Sequence, residues 1–303
     1  MPGRMRTAGL ALAFAATAAW SVSAGEVLSV RDDFEPPELD RSKWATFQAR
    51  PDSYRIDRTI VAQGEGALAI TVEPHDIGCE GACQRNEIRI ANELRVPFGT
   101  DTWYAFSFRI EGDVPRFGSR RWVIGQWKED TDRSPFVAQR YDNGVFHITV
   151  QDGECRRVIA AAEGDYERLE AFFLSGTLPG SPFFSANRRS VDGLTFVGDP
   201  QHYDCVADLT LELGDSAVLP DPYGRWVRMV YHIRGGLDGQ GLVEVWADGR
   251  FIVRVRGSIG HAEKYGPSQY FKIGMYRDPM PGTATVYFDA FRRGASRAEV
   301  EMP

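Results

Sequence analysis

The sequence Tyr270-Phe271-Lys272-Ile273-Gly274-Met275-Tyr276 alternates between two kinds of side chain. Its odd-numbered positions are all large and apolar, whereas the even-numbered positions carry two tyrosines, a lysine and a glycine. Because successive side chains of a β-strand point to opposite faces of the sheet, this period of two predicts a strand with its apolar face in the core. The even-numbered residues then share the opposite face.

The same alternation recurs along most of the chain. Runs rich in β-branched and aromatic residues predict strands at residues 68–72, 103–110, 122–127, 145–150, 226–233, 242–246, 251–255 and 285–291. Asp142-Asn143-Gly144 and Asp248-Gly249 have the composition of tight hairpin turns between such runs. Residues 160–173 are a weak candidate for a helix. Many short strands joined by Gly-rich turns predict an all-β sandwich or jelly roll of two antiparallel sheets.

The N-terminal residues predict export. Arg4 and Arg6 precede an apolar run at residues 8–20, and Val22-Ser23-Ala24 has the small-x-small pattern that signal peptidases cut. Residues 1–24 are therefore expected to be a signal peptide cleaved near Ala24, which would make the protein secreted or periplasmic. The apolar run is shorter than the roughly 20 residues of a membrane span, and no later run is long and apolar enough. Residues 25–303 are expected to form a single domain.

The net charge limits the class of partner. The formal net charge is −7 at pH 7, so a general basic surface for nucleic acid is excluded. An anionic substrate would instead need a local concentration of arginine and lysine side chains on an otherwise acidic protein. The sequence does not determine an oligomeric state.

Four cysteines, Cys79, Cys83, Cys155 and Cys205, follow the N-terminal segment. An even number in an exported protein predicts two disulfides, which can be connected in three ways. Cys79–Cys83 and Cys155–Cys205 are the favoured pairs, because each closes a segment that looks like a loop. Zinc binding is the competing interpretation, although Cys-x3-Cys without a matching second pair or nearby histidines is a weak zinc signal.

Residues 154–208 depart from the strand pattern and are bracketed by cysteines. They contain proline–glycine and serine–proline dipeptides and two pairs of phenylalanines. This long insertion is either an ordinary surface loop or a lid or thumb over a groove, since long loops on rigid β scaffolds often carry binding residues. The sequence leaves both interpretations open.

Three other predicted strands also place polar residues on one face. Any one of them could be the solvent face of an ordinary amphipathic strand. Together they are rich in arginine, glutamine and histidine, whereas solvent faces usually mix lysine, glutamate and threonine. The three sets are Arg85, Glu87 and Arg89; Gln126 and Lys128; and His147, Thr149 and Gln151. We expect a concave groove lined by Arg85, Arg89, Gln126, Lys128, His147, Lys272 and Tyr276.

These residue types suit elimination across a uronic acid. The enzyme must remove the hydrogen next to a carboxylate, and the resulting dianion is prohibitive unless the carboxylate charge is offset. Arginine or an amide can offset it in the manner of an oxyanion hole. Histidine, lysine or tyrosine can take the proton, and a tyrosine can protonate the leaving oxygen. No metal or organic cofactor is required; calcium is considered only as a structural ion, without a compact acidic motif to bind it.

Three motifs follow one another in a set order: Arg-x-Glu-x-Arg at 85–89, Gln-x-Lys at 126–128 and Tyr-Phe-Lys-x-Gly-x-Tyr at 270–276. This series resembles that of the jelly-roll polysaccharide lyases, which include alginate lyases, glucuronan lyases and the heparin lyase I group. Residues 224–277 are most similar to the heparin lyase I and glucuronan lyase side. The resemblance implies a concanavalin-like β-jelly-roll sandwich and a lyase that leaves an unsaturated uronate at the new non-reducing end of an acidic polysaccharide.

The resemblance also implies roles for individual residues. Tyr276 corresponds to the catalytic tyrosine, which acts as acid and can also act as base. Arg85 matches the arginine that binds the uronate carboxylate, and Gln126 would help to neutralise it. The other motif residues would contact substrate or hold the arginines in place: Arg89, Lys272, Tyr270 and Glu87.

The identity of the base stays open at this level. In the alginate lyases the third residue of the Gln-x-His motif is the base, and here that position is Lys128. A lysine can serve if desolvation or nearby cations lower its pKa. His147 on a neighbouring strand is the second candidate, and Tyr276 in a double role is the third.

Two other functional classes compete with a lyase. A non-catalytic, lectin-like protein for acidic glycans could use Trp103, Trp122 or Trp246 for stacking and the same arginines for charge. A glycoside hydrolase would need two carboxylates facing the scissile bond. The usual alternating acidic strand, Glu-x-Asp-x-x-Glu, is missing from the sequence, and residues 129–132 are more typical of a turn after a strand.

Overall fold

The computed structural model describes residues 27–114, 121–130, 133–153, 155–162, 209–261 and 266–301. The strands in these ranges are, in chain order, β1 Val30–Asp32, β2 Trp44–Phe47, β3 Tyr54–Asp57, β4 Ala67–Val72, β5 Ile77–Gly78, β6 Cys83–Ile90, β7 Val96–Pro97, β8 Thr102–Gly112, β9 Trp122–Glu129, β10 Val137–Arg140, β11 His147–Asp152, β12 Cys155–Ala162, β13 Leu209–Leu213, β14 Val218–Leu219, β15 Val227–Arg234, β16 Gly236–Ala247, β17 Arg250–Ile259, β18 Ser268–Arg277 and β19 Ala284–Gly294. A short helix, α1, covers Arg297–Val300.

The strands form two sheets. Sheet I has the order β13-β17-β16-β15-β8-β19-β4-β3, with β1 also paired to β19. Sheet II has the order β14-β12-β11-β10-β9-β18-β6-β2, with β5 on β6 and β7 on β18. Neighbouring strands run antiparallel except for the short parallel pair β12–β14. The predicted all-β, two-sheet jelly-roll sandwich is therefore confirmed.

The core lies between the inner faces of the two sheets, and β18 shows how the alternation works. Its apolar residues Phe271, Ile273 and Met275 are almost completely buried. The Phe271 ring stacks on Phe291 of sheet I with centroids 5.8 Å apart and lies 5.5 Å from the Phe106 ring. Aromatic pairs at such distances add to the stability gained from burying their area. The even-numbered residues of β18 must therefore project from the other face of sheet II.

Both predicted hairpin turns are present. Residues 142–144 form a single 3-10 turn between β10 and β11, which pair antiparallel. Asp248 and Gly249 join β16 to β17 with φ angles of +47° and +77°. A two-residue hairpin of the favoured type needs a positive φ at both positions, which explains the Asp-Gly sequence.

The prediction that residues 154–208 depart from the strand pattern is wrong for residues 155–162. Residues 155–162 belong to sheet II as β12, and every residue of this strand is buried. The helix considered at 160–173 is likewise wrong for residues 160–162. A strand buried on both faces shows no alternation, so its sequence does not carry the period-two signal. Residues 154 and 163–208 lie outside the described residues, and the lid or thumb interpretation stays a prediction.

The disulfide Cys79–Cys83 is present, as expected, with the two Cα atoms 5.4 Å apart. It links a 3-10 turn at residues Cys79–Gly81 to the first residue of β6. Cys205 lies outside the described residues, so its pairing with Cys155 stays a prediction, as does the signal peptide at residues 1–24. Among the described residues, no helix is long and apolar enough to cross a membrane.

Replacing Gly274 by alanine should destabilise the protein more than an ordinary substitution at a positive-φ glycine. Gly274 has φ +134°, and a Cβ there would lie 2.3 Å from the backbone carbonyl oxygen of Asn86 on β6. We expect a loss of about 1–3 kcal/mol beyond the control, because both variants strain a positive φ but only Gly274→Ala also forces an added atom against packed backbone. The control is Gly249→Ala, which has φ +77° but open space around the added atom. Urea denaturation measures both, and equal losses would contradict the role assigned to the β6 backbone.

Candidate active site

Strand β18 brings the three sequence motifs together because it lies between β6 and β9. Lys272 pairs with Arg89 on β6 and with Gln126 on β9, so these three residues form one row across sheet II. Tyr276 pairs with Arg85 on one side and with Val123 on the other. We call the outward side of these three strands the polar face; it carries Arg85, Glu87, Arg89, Gln126, Lys128, Tyr270, Lys272 and Tyr276.

Glu87 is the centre of the polar face. Its Oε2 accepts hydrogen bonds from Lys272 Nζ, at 2.9 Å, and from Arg85 Nε. Its Oε1 accepts a hydrogen bond from Gln126 Nε2. The side chains of Glu87 and Lys272 are only 2% and 0% exposed. One buried carboxylate therefore holds a residue from each of the three motifs.

Burial and neighbouring charges act together on this group. Burial disfavours the charged form of Glu87, but Lys272 and Arg85 overcome it and hold the pKa of the carboxyl below its usual range. Burial lowers the pKa of Lys272 to about 8, and repulsion from Arg85 and Lys128 adds to that effect while Glu87 opposes it. Several cations thus surround one buried carboxylate, which concentrates positive charge on a protein of net charge −7.

Tyr276 lies at the partly exposed end of the polar face. The Arg85 guanidinium carbon is 4.8 Å from the centre of its ring, and that of Arg121 is 4.6 Å from it. Arg121 forms an ion pair with Asp278 at 3.1 Å. The sequence reasoning missed Arg121, because it precedes the first residue of β9 and belongs to no alternating run or motif.

Lys128 and Tyr270 lie at the opposite end of the polar face. They pair with each other across β9 and β18. Tyr276 lies six positions after Tyr270 in β18, a distance of about 20 Å along a strand. The Tyr270 ring has its own arginine neighbours, Arg95 at 4.6 Å and Arg89 at 5.9 Å. The strand register therefore does not bring Lys128 next to Tyr276.

His147 lies on β11 and is completely buried. Its Nδ1 lies 2.9 Å from the carbonyl oxygen of Val145, which can only accept, so Nδ1 is the donor. Burial lowers the pKa of His147 to about 3 and raises that of Asp142, whose carboxylate is 3.7 Å from His147 Nε2, to about 6. A general base works best when its pKa is near the operating pH. His147 is therefore a weak base at neutral pH.

The tryptophans considered for a lectin-like groove are not on the polar face. Trp122 is 1% exposed and lies within the core between the sheets. Trp103 and Trp246 belong to sheet I, where their rings stack on each other at 5.5 Å. That part of the lectin-like interpretation is wrong, because Trp122 is in the core and the other two tryptophans are on sheet I, whereas Arg85 and Arg89 are on sheet II. Among the described residues, no group of three or more His, Cys, Asp or Glu is placed to hold a metal ion.

Comparison with known proteins identifies the family. The family model described as polysaccharide lyase matches residues 37–292, which include all three motifs and every residue of the polar face. The chain belongs to this polysaccharide lyase family, and it is a polysaccharide lyase enzyme. No protein of curated function matches the sequence.

Solved structures of similar fold include an endo-β-1,4-glucuronan lyase from the fungus Trichoderma reesei. It is 15% identical, with a TM-score of 0.54 over 87% of this chain and 95% of that one. The cellulose-induced protein Cip1 is 15% identical, with a TM-score of 0.48 over 88% and 97% of the two chains. A family 7 alginate lyase, A1-II′, is 12% identical, with a TM-score of 0.48 over the same shares. The first of these confirms the fold.

Replacing Glu87 by glutamine should lower the free energy of unfolding. The change leaves the buried Lys272 and Arg85 without their carboxylate, and breaking a buried pair from one side costs about 3–5 kcal/mol. Adding Lys272→Met should recover part of that loss, because it removes a buried charge that is no longer compensated. Chemical denaturation of the single and double variants gives the coupling energy between the two residues.

The matched control is Glu301→Gln, which removes a carboxylate from the exposed pair Arg297–Glu301. An exposed pair contributes about 0–1 kcal/mol, so this variant should be close to wild type. If Glu87→Gln and Glu301→Gln lose the same stability, Glu87 is not the centre of the site.

Lys272 should also make stability depend on pH. Its pKa is about 8 in the folded protein, whereas the ordinary value for a lysine, which applies to the unfolded chain, is 10.5. Between these values the unfolded chain binds more protons, so the contribution of this residue to the free energy of unfolding increases as pH rises, by at most about 1.4 kcal/mol per pH unit. The free energies of unfolding of wild type and Lys272→Met should therefore diverge over this pH range, with wild type gaining stability relative to the variant as pH rises. Parallel pH dependences would contradict the lowered pKa.

Proposed function

We propose that this lyase cleaves a uronic-acid-containing polysaccharide by β-elimination and leaves an unsaturated uronate at the new non-reducing end. The observation that carries the proposal is the contact between Arg85 and Tyr276 at the partly exposed end of the polar face, with the Arg85 guanidinium carbon 4.8 Å from the ring centre. The contact supports the proposal because an arginine can bind a carboxylate and a tyrosine can transfer a proton.

Arg85 is oriented to bind a carboxylate. Its Nε donates to Glu87, and its side chain is 13% exposed. The two terminal nitrogens take no part in that bond, and a pair of guanidinium nitrogens suits the paired oxygens of a uronate. Gln126 lies against the same Glu87 and is placed to add an amide dipole. Neutralising the carboxylate stabilises the anion that forms when the neighbouring hydrogen is removed.

Tyr276 is the best-placed proton carrier of the three candidates. Lys128 is separated from it along the sheet, and His147 is buried with a pKa of about 3. In the proposed reaction, the Tyr276 phenolate takes the hydrogen α to the carboxylate, a double bond forms between the α and β carbons, and the bond from the β carbon to the glycosidic oxygen breaks. The same phenol then returns the proton to that oxygen. These steps require no metal or organic cofactor.

The substrate class follows from the concentration of positive charge on the polar face. Arg85, Arg89, Lys128 and Lys272 lie in three rows across the three neighbouring strands, with Glu87 among them. A linear polymer with one carboxylate per sugar, or per pair of sugars, matches such a series of cations. Glucuronan is the first polymer to test, because a glucuronan lyase has the same fold.

The test is ultraviolet absorbance during incubation with glucuronan, alginate and heparin-like chains, since elimination creates a conjugated double bond. We expect a rise on at least one uronate polymer. The Tyr276→Phe variant should lose about 10²-fold or more of that activity, as expected for removal of a proton-transfer group. The same polymer with its carboxyl groups reduced to alcohols should give no rise.

Two results would contradict the proposal. Cleavage without an absorbance rise would indicate hydrolysis, and binding without cleavage would indicate the lectin-like alternative. Thermal unfolding of Tyr276→Phe is measured alongside, so that a loss of activity is assigned to the hydroxyl group only when the variant is folded.

A further inference from the structure

Two arginines from different parts of sheet II lie close to the Tyr276 ring. Arg85 is on β6 and Arg121 directly precedes β9, while β18, which carries the tyrosine, lies between these two strands. Both guanidinium carbons are close to the ring centre, at 4.8 Å and 4.6 Å. Cations in such positions are attracted to the face of an aromatic ring. The ring therefore has two positive charges next to it.

Arg121 is fixed in this position by Asp278, two residues beyond Tyr276. Its backbone N–H donates to Asp278 Oδ2 at 2.8 Å, and its guanidinium pairs with Oδ1 at 3.1 Å. The Asp278 backbone N–H in turn donates to the Arg121 carbonyl oxygen at 3.0 Å. Three contacts thus connect the residue before β9 to the residue after β18. Arg121 is held in place before substrate arrives, which is what a preorganised site requires.

Charged and titratable groups surround Tyr276 on all the strands that pack near it. Across β10 and β11, the residues of the same row are Arg140 and His147, with Asp142 next to them. Among the described residues, the charged and titratable groups on these elements include Arg85 and Glu87 on β6, Lys272 and Asp278 on or just after β18, Arg121 before β9, and Arg140, Asp142 and His147 beyond β9. Within this set, Arg85 and Arg121 are the cations in contact with the ring.

We propose that Arg121 is a positioning residue for Tyr276. It holds the phenol ring at the exposed end of the polar face and stabilises the negative charge that develops when the phenol loses its proton. A cation beside a phenol favours the phenolate, because opposite charges within a few ångströms attract. The proposal rests on the proposed function, in which Tyr276 first acts as the base. Arg121 acts through Tyr276 and is not assigned a contact with substrate.

The first experiment compares Arg121→Gln and Arg121→Lys with wild type over a range of pH. Arg121→Gln should lower kcat/KM about tenfold, mainly through kcat, because one of two ring-contacting cations is lost. The rise of kcat/KM at the low-pH side should also move to higher pH. Arg121→Lys retains the charge but not the planar group that contacts the ring and pairs with Asp278. Its kcat/KM should therefore lie between the values of wild type and Arg121→Gln.

The control variant is Arg225→Gln. Arg225 also lies just before a strand and pairs with an aspartate, Asp248, at 3.3 Å. It is remote from the polar face, because it precedes β15 of sheet I. This variant should keep the wild-type pH profile. If it changes the profile as much as Arg121→Gln does, the effect is general and the proposal fails.

A second measurement needs no substrate and separates this proposal from the proposed function. Ultraviolet difference titration of wild type against Tyr276→Phe isolates the phenolate signal of Tyr276. The same difference is measured in the Arg121→Gln background, where the signal should develop at higher pH. A moved titration without elimination on any polymer would support Arg121 and overturn the proposed function. Elimination with an unmoved titration and pH profile would overturn the role of Arg121. If Arg121→Gln does not fold, Arg121→Met, which also removes the charge, provides the same comparison.

Discussion

The site depends on the buried carboxylate of Glu87. It accepts hydrogen bonds from Arg85, Lys272 and Gln126, and so connects β6, β18 and β9 through one side chain. A buried charge is stable only when it is paired and hydrogen-bonded, so these four residues must be present together. Because the Glu87 carboxylate must be paired, two cations, Arg85 and Lys272, lie next to it on the polar face. An acidic protein can therefore present a cationic surface without a basic overall composition.

The preorganisation of the site comes from pairs of opposite charge. Glu87 fixes Arg85, and Asp278 fixes Arg121, so each arginine beside Tyr276 has a carboxylate on its other side. The two carboxylates neutralise much of the repulsion between the guanidinium groups. The carboxylates also fix the orientation of the guanidinium groups. An arginine that is already paired loses less conformational freedom when substrate binds. The two ion pairs therefore orient the arginines without a conformational change of the strands.

Much of the fold was predictable because burial of one face leaves a period of two in the sequence. That signal located β18 and the residues of the polar face, including Glu87 and Tyr276. It failed for β12, which is buried on both sides. The position of Lys128 far from Tyr276 was also not predictable, since strand register depends on pairing between distant segments. Arg121 belongs to no strand, and its role depends on a contact with Asp278 that local sequence does not indicate.

Gly274 separates the requirements of the fold from those of the reaction. Its lack of a side chain allows β18 to lie against the Asn86 carbonyl of β6, and it makes no contact with a reacting group. A homologue that has lost its activity would still need this glycine to pair the two strands. The glycine at this position therefore reports on the pairing of the two strands and not on activity. Under the proposed function, an active homologue would need Arg85 and Tyr276 as well.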